Sequence, residues 1–98
     1  SYKGKDVLVS SLALGAMGDA YLELGNVAEA AKCYENAAVK AENGFTSPMY
    51  LLRAGMAYEM AGNYQKAIDA YKVIKAEYPN SNEGFSIEKY IARAQAEL

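Results

Sequence analysis

The chain contains two stretches that repeat each other at a fixed offset of 37 residues. Residues 18–21 read Gly-Asp-Ala-Tyr and residues 55–58 read Gly-Met-Ala-Tyr. A period in this range is typical of architectures in which one supersecondary unit stacks on its own copy. Such arrays usually present a surface to a protein partner and carry no catalytic pocket. The same offset relates Leu14 to Leu51, Gly25 to Gly62, Ala30 to Ala67 and Tyr34 to Tyr71.

The composition favours closely packed helices in one small domain. The 98 residues are 52% hydrophobic, and much of this fraction is alanine, which lets helix backbones approach at little cost in helix propensity. The net charge is −2 and the basic residues are scattered, so the chain lacks the basic stripe of a nucleic-acid-binding protein. No apolar run approaches the roughly 20 residues that span a bilayer. We therefore expect no nucleic-acid partner and no membrane insertion by this segment.

Apolar residues recur at intervals of three and four, which predicts helices. The first two predicted helices form a hairpin. Asp6 is the expected N-cap of the first helix. Gly25 ends that helix, because glycine adopts the left-handed conformation that closes a helix. Asn26 opens a second helix that ends near residues 43–44. The short turn between the two helices makes them antiparallel.

The second half of the chain predicts another hairpin and a terminal helix. Ser47-Pro48 starts a third helix, with the proline at the first helical position. Gly62-Asn63 repeats the earlier turn, and Pro79 ends the fourth helix near Tyr78. Residues 80–82 are an expected loop before a fifth helix. The sequence therefore predicts five helices and no strand.

These residues resemble the tetratricopeptide repeat (TPR) pattern, in which Leu-Gly, Tyr, Ala, an aromatic residue and Pro follow one another over about 34 residues. The resemblance implies an all-α, TPR-like superhelix of five antiparallel helices in a single domain over residues 1–98. Two helical hairpins, repeat one at about 7–42 and repeat two at about 47–79, precede a capping helix at about 86–97. Repeat one departs from the pattern, since Glu42 stands where the family has proline.

The repeated residues are expected to build the core. Gly18 and Gly55 are predicted to let the two helices of each hairpin approach closely, with Ala30 and Ala67 facing them. Four tyrosines should fill the space between successive helices, and their hydroxyls should reach polar partners at the rim, because a buried Tyr O–H needs one. These tyrosines are Tyr21, Tyr34, Tyr58 and Tyr71.

Two tracts, residues 14–21 and 88–94, also resemble TPR proteins of the Bacteroidetes type. In some of these proteins, similar repeats form the C-terminal part of a longer, membrane-anchored chain. The resemblance leaves both a cytoplasmic and a periplasmic location open. The apolar start of the first helix, with Val7, Val9 and Leu12, favours either a missing N-terminal portion or a dimer contact.

The resemblance places a partner-binding groove on the first helix of each repeat. Methionine and leucine recur along one side of the third helix, and methionine is common on adaptable binding surfaces. The alternative, in which this apolar stripe packs against a neighbouring helix, remains open. The candidate groove residues are Leu12, Asp19, Glu23, Met49, Leu52, Arg53, Met56 and Glu59.

The residue inventory argues against an enzyme. The chain has no histidine, so the commonest general base and the commonest metal ligand are both missing, and Cys33, its single cysteine, has no histidine partner. We expect Cys33 in or near the core. The glycines at residues 15 and 18 lie within a helix and not between a strand and a helix, so they cannot cradle phosphate. The sequence predicts no catalytic residue, no cofactor and no metal.

The sequence therefore predicts a non-enzymatic module that binds a protein or peptide of unidentified kind. A carboxylate clamp for a chaperone terminus is disfavoured, because Lys and Asn are missing from the matching groove positions. The alternative is a structural or homodimerisation segment of a longer TPR protein, in which the same stripe or the first helix pairs two chains.

Overall fold

The computed structural model describes residues 10–41 and 43–98. Within these residues the chain forms helices and turns and no strand, which confirms the predicted all-α, TPR-like fold. Successive long helices pack against each other, so α1 and α2 form one hairpin and α3 and α4 another. The helices are α1 (Ser11–Glu23), α2 (Val27–Ala41), α3 (Thr46–Met60), α4 (Tyr64–Glu77), α5 (Asn82–Phe85) and α6 (Ile87–Gln95).

The first described helix, α1, begins directly after Ser10. Ser10 has an extended backbone and its side chain accepts a 3.1 Å hydrogen bond from the Ala13 N–H, so Ser10 is the N-cap of α1. A serine at this position satisfies one of the free N–H groups of the first turn. The expected cap, Asp6, lies outside the described residues, as do the first residues of the predicted repeat one.

The third helix begins two residues before Pro48, which was the predicted first helical position. Asn43 Oδ1 accepts hydrogen bonds from the N–H groups of Phe45 (3.0 Å) and Thr46 (2.7 Å). These bonds satisfy donors at the start of the helix, so α3 begins at Thr46 and Pro48 occupies its third position instead of the first. Proline remains compatible with this site because first-turn N–H groups have no partner within the helix.

The two hairpin turns have the same geometry. Gly25 and Gly62 have φ angles of 83° and 81°, in the left-handed region that favours glycine. The Asn26 N–H donates to the Tyr21 carbonyl at 2.9 Å, and the Asn63 N–H donates to the Tyr58 carbonyl at 2.8 Å. Both turns are Schellman motifs, in which such bonds satisfy the last carbonyls of a helix. The predicted glycine turns are confirmed.

The predicted loop at residues 80–82 instead leads into a one-turn helix. The Ser81 side chain accepts a hydrogen bond of 3.0 Å from the Gly84 N–H and caps α5. The described residues therefore hold six helices, one more than expected. The last helix, α6, packs on α4 and buries Ile87, Ile91 and Ala94, as expected of a capping helix.

The core depends on glycines that receive tyrosine rings. A Cβ atom added at Gly18 would overlap the ring of Tyr34, and one added at Gly55 would overlap the ring of Tyr71. The glycines thus make room for an aromatic ring, and not only for a close approach of two backbones. Both tyrosines are at most 2% exposed.

One of the four predicted core tyrosines is not fully buried. Tyr21 is only partly covered, whereas its repeat counterpart Tyr58 is 3% exposed. The difference arises because α2 lies over the Tyr58 side of α3, while no described helix lies over the corresponding side of α1. The small core residues Ala30 and Ala67 are both fully buried, as predicted.

Candidate functional site

Three core tyrosines each donate a hydrogen bond to a carboxylate near the surface. Tyr34 donates to Asp19 Oδ1, Tyr58 donates to Glu35 Oε1 at 2.6 Å, and Tyr71 donates to Glu59 Oε1 at 2.7 Å. Burial and these carboxylates raise the pKa of all three phenols well above the ordinary value. The expectation that buried tyrosine hydroxyls find polar partners is therefore met at these three positions.

The acceptor Glu59 is held from two further directions. Arg93 of α6 donates from Nε to Glu59 Oε2 at 3.2 Å and from Nη2 to Oε1. Burial alone would raise the pKa of Glu59, but the hydrogen bonds from Arg93 and Tyr71 and the charge of Arg93 outweigh it and lower this pKa. The guanidinium also lies 5.0 Å from the Tyr90 ring centroid. This cluster ties α6 to α3.

Arg53 is held more loosely than Arg93. Its Nη1 atom lies 3.8 Å from Asp19 Oδ1, which is an ion-pair distance but longer than a hydrogen bond. The guanidinium lies 5.8 Å from the ring centroid of Tyr50, and about half of the side chain is exposed. Arg53 therefore keeps N–H donors available to solvent or to a ligand.

Two depressions adjoin each other along α3. One of about 250 Å³ lies between α1 and α3 and contains Asp19, Leu22, Arg53, Met56 and Met60 in its wall. The other, of about 340 Å³, lies between α3 and α6 and contains Met56, Glu59, Met60, Tyr64, Arg93 and Glu97. Both share Met56 and Met60, which are 41% and 63% exposed. We call this continuous surface the α3 groove.

Four of the eight candidate residues lie in the α3 groove, namely Asp19, Arg53, Met56 and Glu59. The other four lie elsewhere in the described structure. Leu12 is 74% exposed and Glu23 is exposed, and neither lines the two depressions. Met49 and Leu52 are partly buried and pack against the core. For these two, packing against neighbouring helices describes the contacts better than an open stripe.

None of the eight predicted groove residues lies C-terminal to Glu59. Tyr64, Arg93 and Glu97 line the depression between α3 and α6. The basic charge of Arg93 was its only signal, because 34 residues separate it from Glu59 and nothing in the local pattern pairs them. Such pairing depends on the angle at which α6 returns to α3.

Cys33 lies in the core of repeat one, as expected. It is 9% exposed, and burial, followed by the negative charge of Glu29, raises the pKa of its thiol. Over residues 10–41 and 43–98, no three residues of the His, Cys, Asp or Glu type are arranged to hold a metal ion. In the same part of the chain, no helix is both long and apolar enough to cross a membrane.

Sequence comparison places the two hairpins in a known family. A family model described as Tetratricopeptide repeat matches residues 16–82, which is more than half of the chain. The chain belongs to the tetratricopeptide repeat family. TPR repeats are typically non-catalytic modules for protein–protein interaction, and this TPR domain is an interaction module in that general sense. Neither curated proteins nor solved structures give a match to the chain.

Proposed function

We propose that this TPR domain binds a protein segment in the α3 groove, and that the segment inserts apolar side chains over Met56 and Met60. The observation that carries the proposal is the pair of exposed methionines shared by two adjoining depressions. An exposed apolar patch rimmed by polar groups is typical of an interaction surface. Methionine side chains are unbranched and polarisable, so they adapt to the shape of a bound side chain.

The charges at the rim of the groove favour a partner that is mainly apolar. Asp19 faces Arg53, and Glu59 faces Arg93, so each carboxylate is already matched by a guanidinium. The engaged pair, Glu59 and Arg93, keeps α6 in place. The looser guanidinium of Arg53 is available to set the register of the bound segment through a carbonyl or carboxylate oxygen.

The test uses a random peptide library displayed on phage and selected on the wild-type domain. Selected peptides should be enriched in large apolar residues, and their binding is then measured by fluorescence anisotropy. Met56→Glu combined with Met60→Glu should weaken binding at least tenfold, because two carboxylates would replace the apolar floor of the groove. Circular dichroism should stay helical, since both side chains are exposed.

Val39→Glu is the matched control, because Val39 is 67% exposed on α2 and lies outside the groove. It should leave peptide binding unchanged. Leu52 is avoided as a test position because it packs against the core, where a charge would disturb folding. Equal binding by wild type and the Met56/Met60 double variant would reject the groove as the binding site.

A further inference from the structure

Within the described residues, the two ends of the helical array differ in polarity. At the C-terminal end, α6 buries one apolar side and exposes Glu88, Lys89 and Gln95 on the other. At the opposite end, α1 is apolar on more than one side, and its only acidic or basic residues are Asp19 and Glu23. A helix that is apolar all round is normally covered on all sides. The exposed side of α1 therefore has the composition of a contact surface.

This surface, which we call the open face of α1, is a stripe with spacings of four, three and four residues. Met17 is 46% exposed and Leu24 is 74% exposed. Together with Ala20 and Tyr21 they line a shallow depression of about 190 Å³. The stripe consists of Ala13, Met17, Ala20 and Leu24, flanked by Ala16 and Tyr21.

The internal repeat shows that the same positions form a helix–helix contact elsewhere in the molecule. The counterparts of Ala13, Met17, Ala20 and Tyr21 in repeat two are at most 3% exposed. Two of them contact α2 directly, since Tyr50 stacks on Tyr34 and Tyr58 donates a hydrogen bond to Glu35. These counterparts are Tyr50, Ala54, Ala57 and Tyr58. The open face of α1 is therefore the one copy of this helix-packing surface to which the described residues bring no helix.

The stripe is complementary to itself under a twofold rotation. If a second α1 lies antiparallel, with the axis between residues 18 and 19, Ala13 faces Leu24 of the second copy and Met17 faces Ala20. The flanking Ala16 faces Tyr21. Each small side chain thus meets a large one, and each contact occurs twice, as an isologous interface requires. Alternation of small and large residues is how facing helices interlock.

We infer that the open face of α1 binds a second copy of this chain, forming an antiparallel, twofold-symmetric dimer. The α3 groove remains accessible in this arrangement, because Asp19 and Leu22 lie on other sides of α1. One helix pair buries less than the roughly 1,600 Å² of a typical stable complex. The dimer should therefore dissociate on dilution, and it would present two α3 grooves to a bivalent partner.

Analytical ultracentrifugation from micromolar to submillimolar concentrations tests the association. Wild type should approach twice the 10.6 kDa mass of the chain as concentration rises. Met17→Glu combined with Leu24→Glu should remain monomeric, with an unchanged helical circular dichroism spectrum. Met60→Glu is a control of similar exposure in the α3 groove and should dimerise like wild type. A monomeric wild type at every concentration, or a double variant that still dimerises, would overturn the inference.

Cysteine crosslinking tests the antiparallel register in a Cys33→Ala background. Chains with Ala13→Cys should form a disulfide with chains that carry Leu24→Cys when the two are mixed and oxidised. Neither variant should crosslink with its own kind, because residue 13 lies far from residue 13 of the second copy in this arrangement. Self-crosslinking of Ala13→Cys alone would indicate a parallel pair and reject the proposed geometry. Loss of peptide binding by the α3 groove would leave both dimer experiments unaffected.

Discussion

The Tyr71 hydroxyl donates a 2.7 Å hydrogen bond to Glu59, so a fully buried ring of α4 ends on a carboxylate of α3. Arg93 of α6 donates to the same carboxylate. One acidic side chain therefore joins three helices, and it also stands in the wall of the α3 groove. A change at this carboxylate should be felt by the fold as well as by a ligand.

Glu59→Gln should lower the free energy of unfolding at neutral pH by about 1–2 kcal/mol, because the hydrogen bonds lose their charged acceptor. The lowered pKa of Glu59 stabilises the fold above the ordinary glutamate pKa of about 4.3. This contribution disappears as the pH falls through the pKa of the folded protein. Urea titrations at neutral and acidic pH should show that the variant loses less stability on acidification than wild type.

Glu29→Gln is the matched control for this experiment, because the Glu29 side chain is 56% exposed and pairs with Lys32 only at 3.9 Å. It should lower the free energy of unfolding by only about a few tenths of a kcal/mol, because an exposed ion pair contributes little to stability. An equal effect of the two substitutions would contradict the role assigned to the Glu59 cluster.

The domain should lose stability in alkaline solution above about pH 10, where tyrosines of the unfolded chain ionise. The folded state holds the protons of Tyr34, Tyr58 and Tyr71 more tightly, since burial and neighbouring carboxylates raise their pKa values. Stability present below this pH is therefore lost as the pH rises. Urea titrations of Tyr58→Phe should show a shallower alkaline decline than wild type, and parallel curves would refute the explanation.

Gly55→Ala should destabilise the domain by about 1–3 kcal/mol, because the added methyl group overlaps the Tyr71 ring and forces the packed helices apart. The thermal midpoint measured by circular dichroism reports the change. Gly44→Ala provides the control, since a Cβ added there would lie in open space. Similar midpoints for the two alanine variants would show that the ring can move aside without cost.

Gly62→Val should cost about 1–3 kcal/mol, because valine strains the backbone at the φ of 81° found in this turn. Gly62→Asn should cost less, since asparagine tolerates the left-handed conformation better than a β-branched residue does. Thermal unfolding of both variants distinguishes backbone strain from loss of a contact, because an added Cβ meets no atom within 4 Å here. Two equal midpoints would argue against strain as the cause.

The sequence predicted the repeat architecture well because the turns are encoded locally. Gly25 and Gly62 carry the left-handed turns by themselves, so helix ends could be read from neighbouring residues. Helix starts were harder. Ser10 and Ser81 act as caps, but serine is common in exposed segments and signals a helix only when the following N–H groups reach its side chain.

The candidate groove could be predicted only in part, because helical spacing does not say how far the next helix covers a face. Met49 and Met56 both belong to the apolar side of α3, yet Met49 packs on the core while Met56 opens to the groove. The position of Arg93 depends on where α6 returns after α5. Contacts of this kind are set by tertiary packing and not by a local pattern.

Because Cys33 is buried, its thiol can report local opening of the folded protein. The thiol is the chain's single cysteine and is covered in the folded first hairpin, so alkylating reagents can attack it readily only when that hairpin opens. The rate of alkylation, measured by mass spectrometry on the unaltered protein, would therefore report how often repeat one opens. A ligand or a second chain that holds α1 against α2 would lower this rate.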